Sequence, residues 1–156
     1  MIKAEVLLEN KYWKSKKIKW PIFFHKLIKA FPSRYKFKNK NINLTILLSD
    51  NKNIKKLNKK FRNKNKHTDI LSFPFDNKPL KKKEIYLGDI IISYEYLNKP
   101  RSQTSSQFKK KVLKIFIHGF LHLLNYDHIK LKDFEKMNKE EKKIYNFINK
   151  KIGTII

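Results

Sequence analysis

Apolar residues along the chain fall into short continuous runs and longer runs with helical spacing. The short runs contain β-branched residues and predict four strands, at residues 3–8, 43–48, 70–75 and 88–94. Pro74 cannot donate a ladder hydrogen bond, so the third strand is expected at an edge of the sheet, or to end there. The consecutive isoleucines at 90–92 predict a strand that is covered on both faces.

Apolar spacings of three and four predict helices between these strands. One helix opens at Trp20, has a proline in its first turn and is ended by Pro32. Asp50 is placed to cap the next helix. The apolar stripe of that helix consists of Ile54, Leu57 and Phe61.

The most apolar helix follows Thr104, which forms a predicted capping box with Gln107. Its apolar residues cover nearly every face after the basic first turns, so we expect it to run through the middle of the fold. A last helix is expected to start near Asp133 and to be closed by Gly153. The side chains that it is expected to bury are Phe134, Met137, Ile144, Tyr145 and Ile148. The whole pattern, without a repeat or a linker, predicts one α+β domain over residues 1–156.

The charge balance suggests a partner but does not identify it. The 156 residues include 38 Lys and Arg against 13 Asp and Glu, which gives a net charge of +25. Only Arg34, Arg62 and Arg101 are arginines. A surface that binds a polyanion such as nucleic acid would need this excess. Lysine placed on solvated faces by AT-rich codon usage explains it equally well, and both interpretations stay open.

The chain contains no cysteine, which excludes a disulfide partner, a cysteine nucleophile and any cysteine-ligated metal. A bound metal must therefore be held by His, Asp or Glu. No run approaches the roughly 20 apolar residues of a membrane span. The first residues also lack the apolar core of a signal peptide. We therefore expect a cytoplasmic protein that does not enter a membrane.

Three of the five histidines fall within eleven residues, at His118, His122 and His128. Positions i and i+4 of a helix lie on the same face, so His118 and His122 can point at one ion. Asn125 tolerates a left-handed backbone and is placed to end the helix and bring His128 back as a third ligand. Three imidazoles favour one Zn²⁺ per chain, with a fourth position left for water. The alternative is that these histidines are ordinary core or surface residues.

The same spacing occurs in the long zinc-protease motif, in which a glutamate follows the first histidine and acts as general base. Gly119 stands at that position here, which argues against a protease. Asp127 is expected to orient an imidazole by a hydrogen bond or, alternatively, to act as a base toward metal-bound water. Ser72 could face the site. His25 and His67 are interpreted as ordinary histidines.

Residues 118–128 (HGFLHLLNYDH) resemble the signature of the YbeY endoribonucleases, the rRNA maturation factor family. Two further blocks agree in order and spacing: Phe61-Arg62 followed by residues 68–75 (TDILSFPF), and residues 87–90 (LGDI). Met137 with Glu140 also fits the downstream helix of the family. Two departures are Asn125, where the family has glycine, and Lys114, where many members have another histidine.

This resemblance implies a single-strand-specific, metal-dependent endoribonuclease that acts near the 3′ end of the small-subunit rRNA and in ribosome quality control. It implies zinc on His118, His122 and His128 in a zincin-like α+β fold, where a mixed sheet packs around the buried metal-binding helix. Arg62 and His118 carry over as catalytic residues, and the ribosome or its small subunit as a partner. A surface ion pair is the alternative role for Arg62.

Lysines next to these blocks are expected to follow the backbone of single-stranded RNA. They are Lys64 and Lys66, in the loop at 63–66, and the lysines of the loop at 78–83. The sequence is compatible with two modes of attack on the phosphate, by metal-bound water or by a ribose 2′-OH. Two other functions remain as alternatives: a zinc hydrolase for another class of substrate, and a ribosome-associated binding factor with a structural zinc.

Overall fold

A computed structural model describes residues 1–37, 39–75 and 83–151 of the chain. Its helices and strands follow in the order β1 (Ile2–Leu8), α1 (Lys11–Ser15), α2 (Trp20–Lys29), β2 (Asn41–Ser49), α3 (Asn51–Arg62), β3 (Ile70–Pro74), β4 (Glu84–Ser93), α4 (Tyr94–Leu97), α5 (Ser105–Leu123) and α6 (Leu131–Lys151). A short 3₁₀ turn at Ser33–Tyr35 lies between α2 and β2. The four predicted strands and the four predicted helices are all present, which confirms the α+β class.

The sheet is mixed and has the strand order β1-β2-β4-β3. β1 and β4 both run parallel to β2, whereas β3 runs antiparallel to β4. β3 is therefore an edge strand that ends at Pro74, as predicted from the missing proline N–H. The isoleucines at 90–92 are all buried in the interior strand β4, as expected.

Two hydrophobic clusters cover the two faces of this sheet. The larger one joins the sheet to α2, α5 and α6. The smaller one is centred on Ile54 of α3, which packs against Leu71 of β3 and Ile91 of β4. Neighbouring residues of a strand point to opposite faces, so Ile70 and Ser72 of β3 point toward α5. The predicted position of α5 in the middle of the fold is confirmed, since Leu113, Phe116 and Phe120 are fully buried.

The local signals in the sequence fix where the helices of the site begin and end. Asp50 accepts the N–H of Asn53, and Thr104 with Gln107 forms the complete capping box of α5. Asn125 adopts a φ of 63°, the left-handed conformation that ends α5. The short helices α1 and α4 carry too few periodic residues to be predicted from the sequence.

Two predictions of burial are wrong. Phe134 is 49% exposed, because the buried stripe of α6 begins one turn later at Met137 and the first turn lies outside the packed interface. Phe61 is 57% exposed at the end of α3, where its ring contacts Phe73 at the edge of the sheet. Met137, Ile144 and Ile148 are buried as predicted, whereas Tyr145 is only half-buried. Gly153 lies outside the described residues.

No helix in the described part of the chain is both long enough and apolar enough to cross a membrane.

Candidate metal centre

The last two turns of α5 bring His118 and His122 together on one face. Their ring centroids are 4.6 Å apart and their Nε2 atoms are 3.1 Å apart. This contact follows from the spacing of four residues, which is close to one turn of helix. Both side chains are half-buried, since the rest of this turn of α5 packs into the core.

The turn after α5 adds the third histidine. The N–H of Asn125 bonds to the carbonyl of His122, and the N–H of Tyr126 bonds to the carbonyl of Leu121. These bonds close the helix and reverse the chain. The ring of His128 then lies 5.3 Å from that of His118 and 5.0 Å from that of His122. One ligand atom from each histidine lies within 4.8 Å of the others, so the three could hold a metal ion.

The outer nitrogens of two rings are held by oxygen acceptors. His122 Nδ1 lies 2.9 Å from the carbonyl oxygen of Tyr126, and His118 Nδ1 lies 2.7 Å from Oε1 of Glu141. A carbonyl oxygen only accepts, so Nδ1 of His122 carries the hydrogen and its Nε2 is left with a lone pair. Ligand histidines are held in this way by carbonyls and carboxylates in metal proteins.

The Nε2 atoms of the same two rings face each other, and their separation shows whether a metal ion would fit. Lone pairs on two Nε2 atoms 3.1 Å apart repel each other unless a cation or a proton lies between them. His128 is exposed and offers the third nitrogen ligand atom. The donor set is imidazole only, which suits zinc and other divalent transition metals.

Electrostatics favour the metal-binding form of His122. Burial lowers the pKa of its imidazole below the usual 6.5, and the neighbouring positive charge that His118 can carry lowers it further. A neutral ring is the form that binds a metal. The fold therefore holds His122 ready as a ligand around neutral pH.

Glu141 is a site residue that the sequence did not reveal. It lies on α6, 23 residues after His118, and no local spacing links the two positions. The neighbouring residue Glu140, which fits the pattern of the resembling family, is engaged elsewhere. Its carboxylate accepts from the Tyr35 hydroxyl at 2.7 Å and from Lys143 Nζ at 3.1 Å, and it pairs with Arg34.

The contact of Asp127 differs from the predicted one. The sequence predicts that its carboxylate orients an imidazole or acts as a base toward metal-bound water, whereas in the structure Oδ1 accepts the backbone N–H of His128 at 2.6 Å. Residues with an Asp side chain commonly bond to nearby backbone in this way. Asp127 therefore steadies the main chain that carries the third histidine.

Arg62 lies at the C-terminal end of α3, against the outer edge of β3. Its Nη2 donates to the backbone carbonyl of Ser72 at 3.1 Å, and its guanidinium carbon lies 5.8 Å from the ring centre of Phe73. Among the described residues, no carboxylate pairs with Arg62. The surface ion pair considered from the sequence is therefore not seen in this part of the chain.

Ser72 connects the edge of β3 to the histidine helix. A Cβ atom added at Gly119 would lie 2.9 Å from Ser72 Oγ and only 2.5 Å from Ile70 Cδ1. Glycine at 119 thus permits α5 to approach β3 closely, beside His118. Ser72 Oγ faces α5 beside Gly119, and it is buried without a hydrogen-bond partner among the described residues. A glutamate at 119 would have no room in this contact.

The structure describes some of the lysines that are predicted to contact RNA. Lys64 and Lys66 are exposed in the loop after α3. This loop is pinned by buried Asn58, whose side-chain amide donates to the carbonyl of Lys66 at 2.8 Å. In the loop at 78–83, Lys83 is exposed, and the other positions lie outside the described residues. His67 lies 6.2 Å from the ring of Tyr96, and neither His67 nor His25 belongs to the histidine cluster.

Sequence comparisons show which known proteins this chain resembles. Residues 7–149 match the family model described as endoribonuclease YbeY. The endoribonuclease YbeY of Pelagibacter ubique is 62% identical over 154 residues, which cover 98% of this chain and 100% of the relative. That of a Sulfurihydrogenibium species is 38% identical over 112 residues, which cover 72% of this chain and 68% of the relative.

A solved structure has a similar fold. The solution structure of TM1509 from Thermotoga maritima superposes with a TM-score of 0.55 at 26% sequence identity, covering 97% of this chain and 91% of that one. The family resemblance that the histidine signature suggested is confirmed over most of the chain. This chain belongs to the YbeY family of metal-dependent endoribonucleases.

Proposed function

We propose that this chain is a zinc-dependent, single-strand-specific endoribonuclease that matures the 3′ end of the small-subunit rRNA and acts in ribosome quality control. The observation that carries the proposal is the set of three converging imidazoles, two of which are held at Nδ1 by oxygen acceptors. The proposal includes a single zincin-like domain over residues 1–156, located in the cytoplasm and acting on the ribosome or its small subunit.

His118, His122 and His128 would hold one zinc ion through three imidazole nitrogens. When bound, zinc polarises a phosphoryl oxygen and lowers the pKa of a coordinated water. The exposed side of the cluster at His128 is the side from which RNA can approach. Glu141 and the Tyr126 carbonyl hold the rings of His118 and His122 in fixed orientations. The ligand nitrogens are therefore already in position before RNA binds.

Arg62 is the proposed phosphate-binding residue. Only one of its five N–H donors is used within the described structure, in the bond to the Ser72 carbonyl. That bond fixes the guanidinium at the edge of β3, and the other donors can form a two-point contact with a phosphate. Developing negative charge on the phosphate is stabilised by such a fixed cation. Lys64 and Lys66 would contact phosphates further along the strand.

Features of β3 weigh against a peptide substrate, the main alternative for a hydrolase. An extended peptide binds an edge strand through free N–H and C=O groups. Pro74 has no N–H to offer, and the Ser72 carbonyl is already occupied by Arg62. Gly119 also leaves the site without the general-base glutamate of the zinc proteases.

Metal content and RNA cleavage should be measured together on wild type, His122→Ala and, as a matched control, His25→Ala on α2. We expect about one zinc per chain and cleavage of single-stranded RNA in wild type and in the control, and loss of both in His122→Ala. Product ends then separate the two modes of attack, since a 2′,3′-cyclic phosphate requires the ribose 2′-OH. Unchanged zinc and cleavage in His122→Ala would contradict the proposal.

The binding-factor alternative needs a separate measurement. If zinc is only structural, a folded His118→Ala protein will still associate with ribosomes and support rRNA maturation in cells. Arg62→Lys tests the catalytic contact, because it keeps the charge and removes the fork. We expect Arg62→Lys to keep its zinc and to cleave RNA at least about tenfold more slowly. This is the effect expected when one charge-assisted hydrogen bond to the phosphate is lost.

A further inference from the structure

A groove of about 250 Å³ runs between α5 and α6, next to the metal centre. It is lined by Lys114, Ile117, Glu141, Lys142, Tyr145 and Asn146. One end of the groove is Glu141, the residue that holds the His118 ring. Lys114 lies four residues before His118, so it is on the same face of α5 and about 6 Å away along the helix axis, at 1.5 Å per residue.

The charged side chains of the groove that are not in an ion pair within the described structure are both lysines, so the groove carries a positive charge. Glu141 is the one carboxylate among its lining residues, and it is paired with His118. Lys114 and Lys142 are exposed, and no carboxylate pairs with either among the described residues. Lys114 Nζ lies 5.1 Å from the ring centre of half-buried Tyr145, within the range of a cation–π contact.

We propose that this groove binds the nucleotide next to the scissile phosphate, and the proposal rests on the function proposed above. Lys114 and Lys142 contact the phosphate of that nucleotide, and its base stacks on Tyr145 in place of the ammonium group. A cation beside an aromatic ring is the combination that binds single strands without sequence preference. Because the groove is continuous with Glu141 and His118, this nucleotide would lie about one helical turn from His118 along α5.

The test compares RNA binding by zinc-loaded variants that each lose one positive charge. Lys114→Gln is matched by Lys29→Gln, an exposed lysine on α2 outside the groove. The probe is a fluorescently labelled ten-nucleotide 2′-O-methyl oligouridine, which cannot be cut by 2′-OH attack. We expect Lys114→Gln to weaken binding about fivefold or more, and to reduce the slope of log K against log salt by about 0.7. Lys114→Arg should restore both, and Lys29→Gln should change neither.

Tyr145→Leu tests stacking separately, and Tyr145→Phe is its control. Leucine should weaken binding about tenfold, which lies within the range for one stacked base, whereas phenylalanine should not. Equal effects of Lys114→Gln and Lys29→Gln, or equal competition by poly-glutamate and oligouridine, would overturn the groove proposal. If wild type binds zinc and cleaves RNA but Lys114→Gln matches it in affinity, the groove proposal alone fails. If wild type does not cleave RNA, the proposed function fails with it.

Discussion

Two adjacent carboxylates on α6 have opposite surroundings. Glu140 is only 8% exposed and is bonded by Tyr35, Lys143 and Arg34, which ties α6 to the turn before β2. Glu141 is 31% exposed at its side chain, and within the described part of the chain its carboxylate bonds to the His118 ring. Neighbouring residues of a helix point about 100° apart, so one turn of α6 can serve both the core and the site.

Burial and the number of bonds are therefore higher at Glu140, whose partners lie away from the histidine cluster. Glu140 has the denser network and also fits the resembling sequence pattern, yet its partners all belong to the fold. Glu141 makes one hydrogen bond among the residues that the structure describes, and its partner is a metal-ligand candidate. The following predictions test whether the two positions divide stability and metal binding between them.

Glu140→Ala should have the largest effect, and it should act on stability alone. The Tyr35 hydroxyl and the Arg34 guanidinium lose a mostly buried acceptor, which we expect to cost about 2–3 kcal/mol. This is below the usual range for a broken buried ion pair because Arg34 is 51% exposed. The corresponding fall in Tm is about 5–10 °C for a chain of this size. Thermal unfolding of the metal-free protein measures it, with exposed Glu135→Ala as control; a loss of zinc affinity in Glu140→Ala would contradict the division.

Glu141→Ala should act on metal affinity. Loss of the acceptor frees the His118 ring to rotate, and residues in this position typically contribute 10–100-fold to metal affinity. The unfolding free energy of the metal-free protein should change by less than about 0.5 kcal/mol, since the pair is partly exposed. Competition with a chromophoric chelator measures the affinity. Glu141→Gln should recover part of it, because the amide oxygen still accepts from Nδ1–H; an unchanged affinity in Glu141→Ala would contradict the proposed role.

A smaller effect is expected from pH. The pKa of His122 is lowered in the folded chain, mainly by burial, so the unfolded chain binds this proton more readily. The stability that neutral His122 contributes is therefore present above pH 6.5, its unfolded pKa, and is lost as pH falls from there through the folded pKa. For one proton, the folding equilibrium constant changes by less than about tenfold per pH unit. Unfolding of metal-free wild type and His122→Gln between pH 7.5 and 5.5 measures the difference, and parallel curves would contradict it.

The residues whose roles depend on local spacing were predictable from the sequence. Helical period pairs His118 with His122, and the left-handed preference of Asn125 ends α5 where His128 can return. Glu141 was not predictable, since its contact depends on how α6 packs against α5. The predicted burial of Phe134 is wrong for the same reason. Periodicity shows which face of a helix is apolar, but it does not show at which turn the contact with the rest of the fold begins.

The smallest effect is expected at Asp127, where the carboxylate bonds to the main chain. Its Oδ1 accepts the N–H of His128, and an asparagine oxygen accepts that N–H equally well. The charge of Asp127 affects the pKa of His122 less than burial and the neighbouring histidines do, and the Asp127 side chain is exposed. Asp127→Asn should therefore lower metal affinity by less than about threefold, against the 10–100-fold expected for Glu141→Ala. The same chelator titration decides between them: a loss at Asp127 as large as at Glu141 would mean that Asp127 holds an imidazole once the metal is bound.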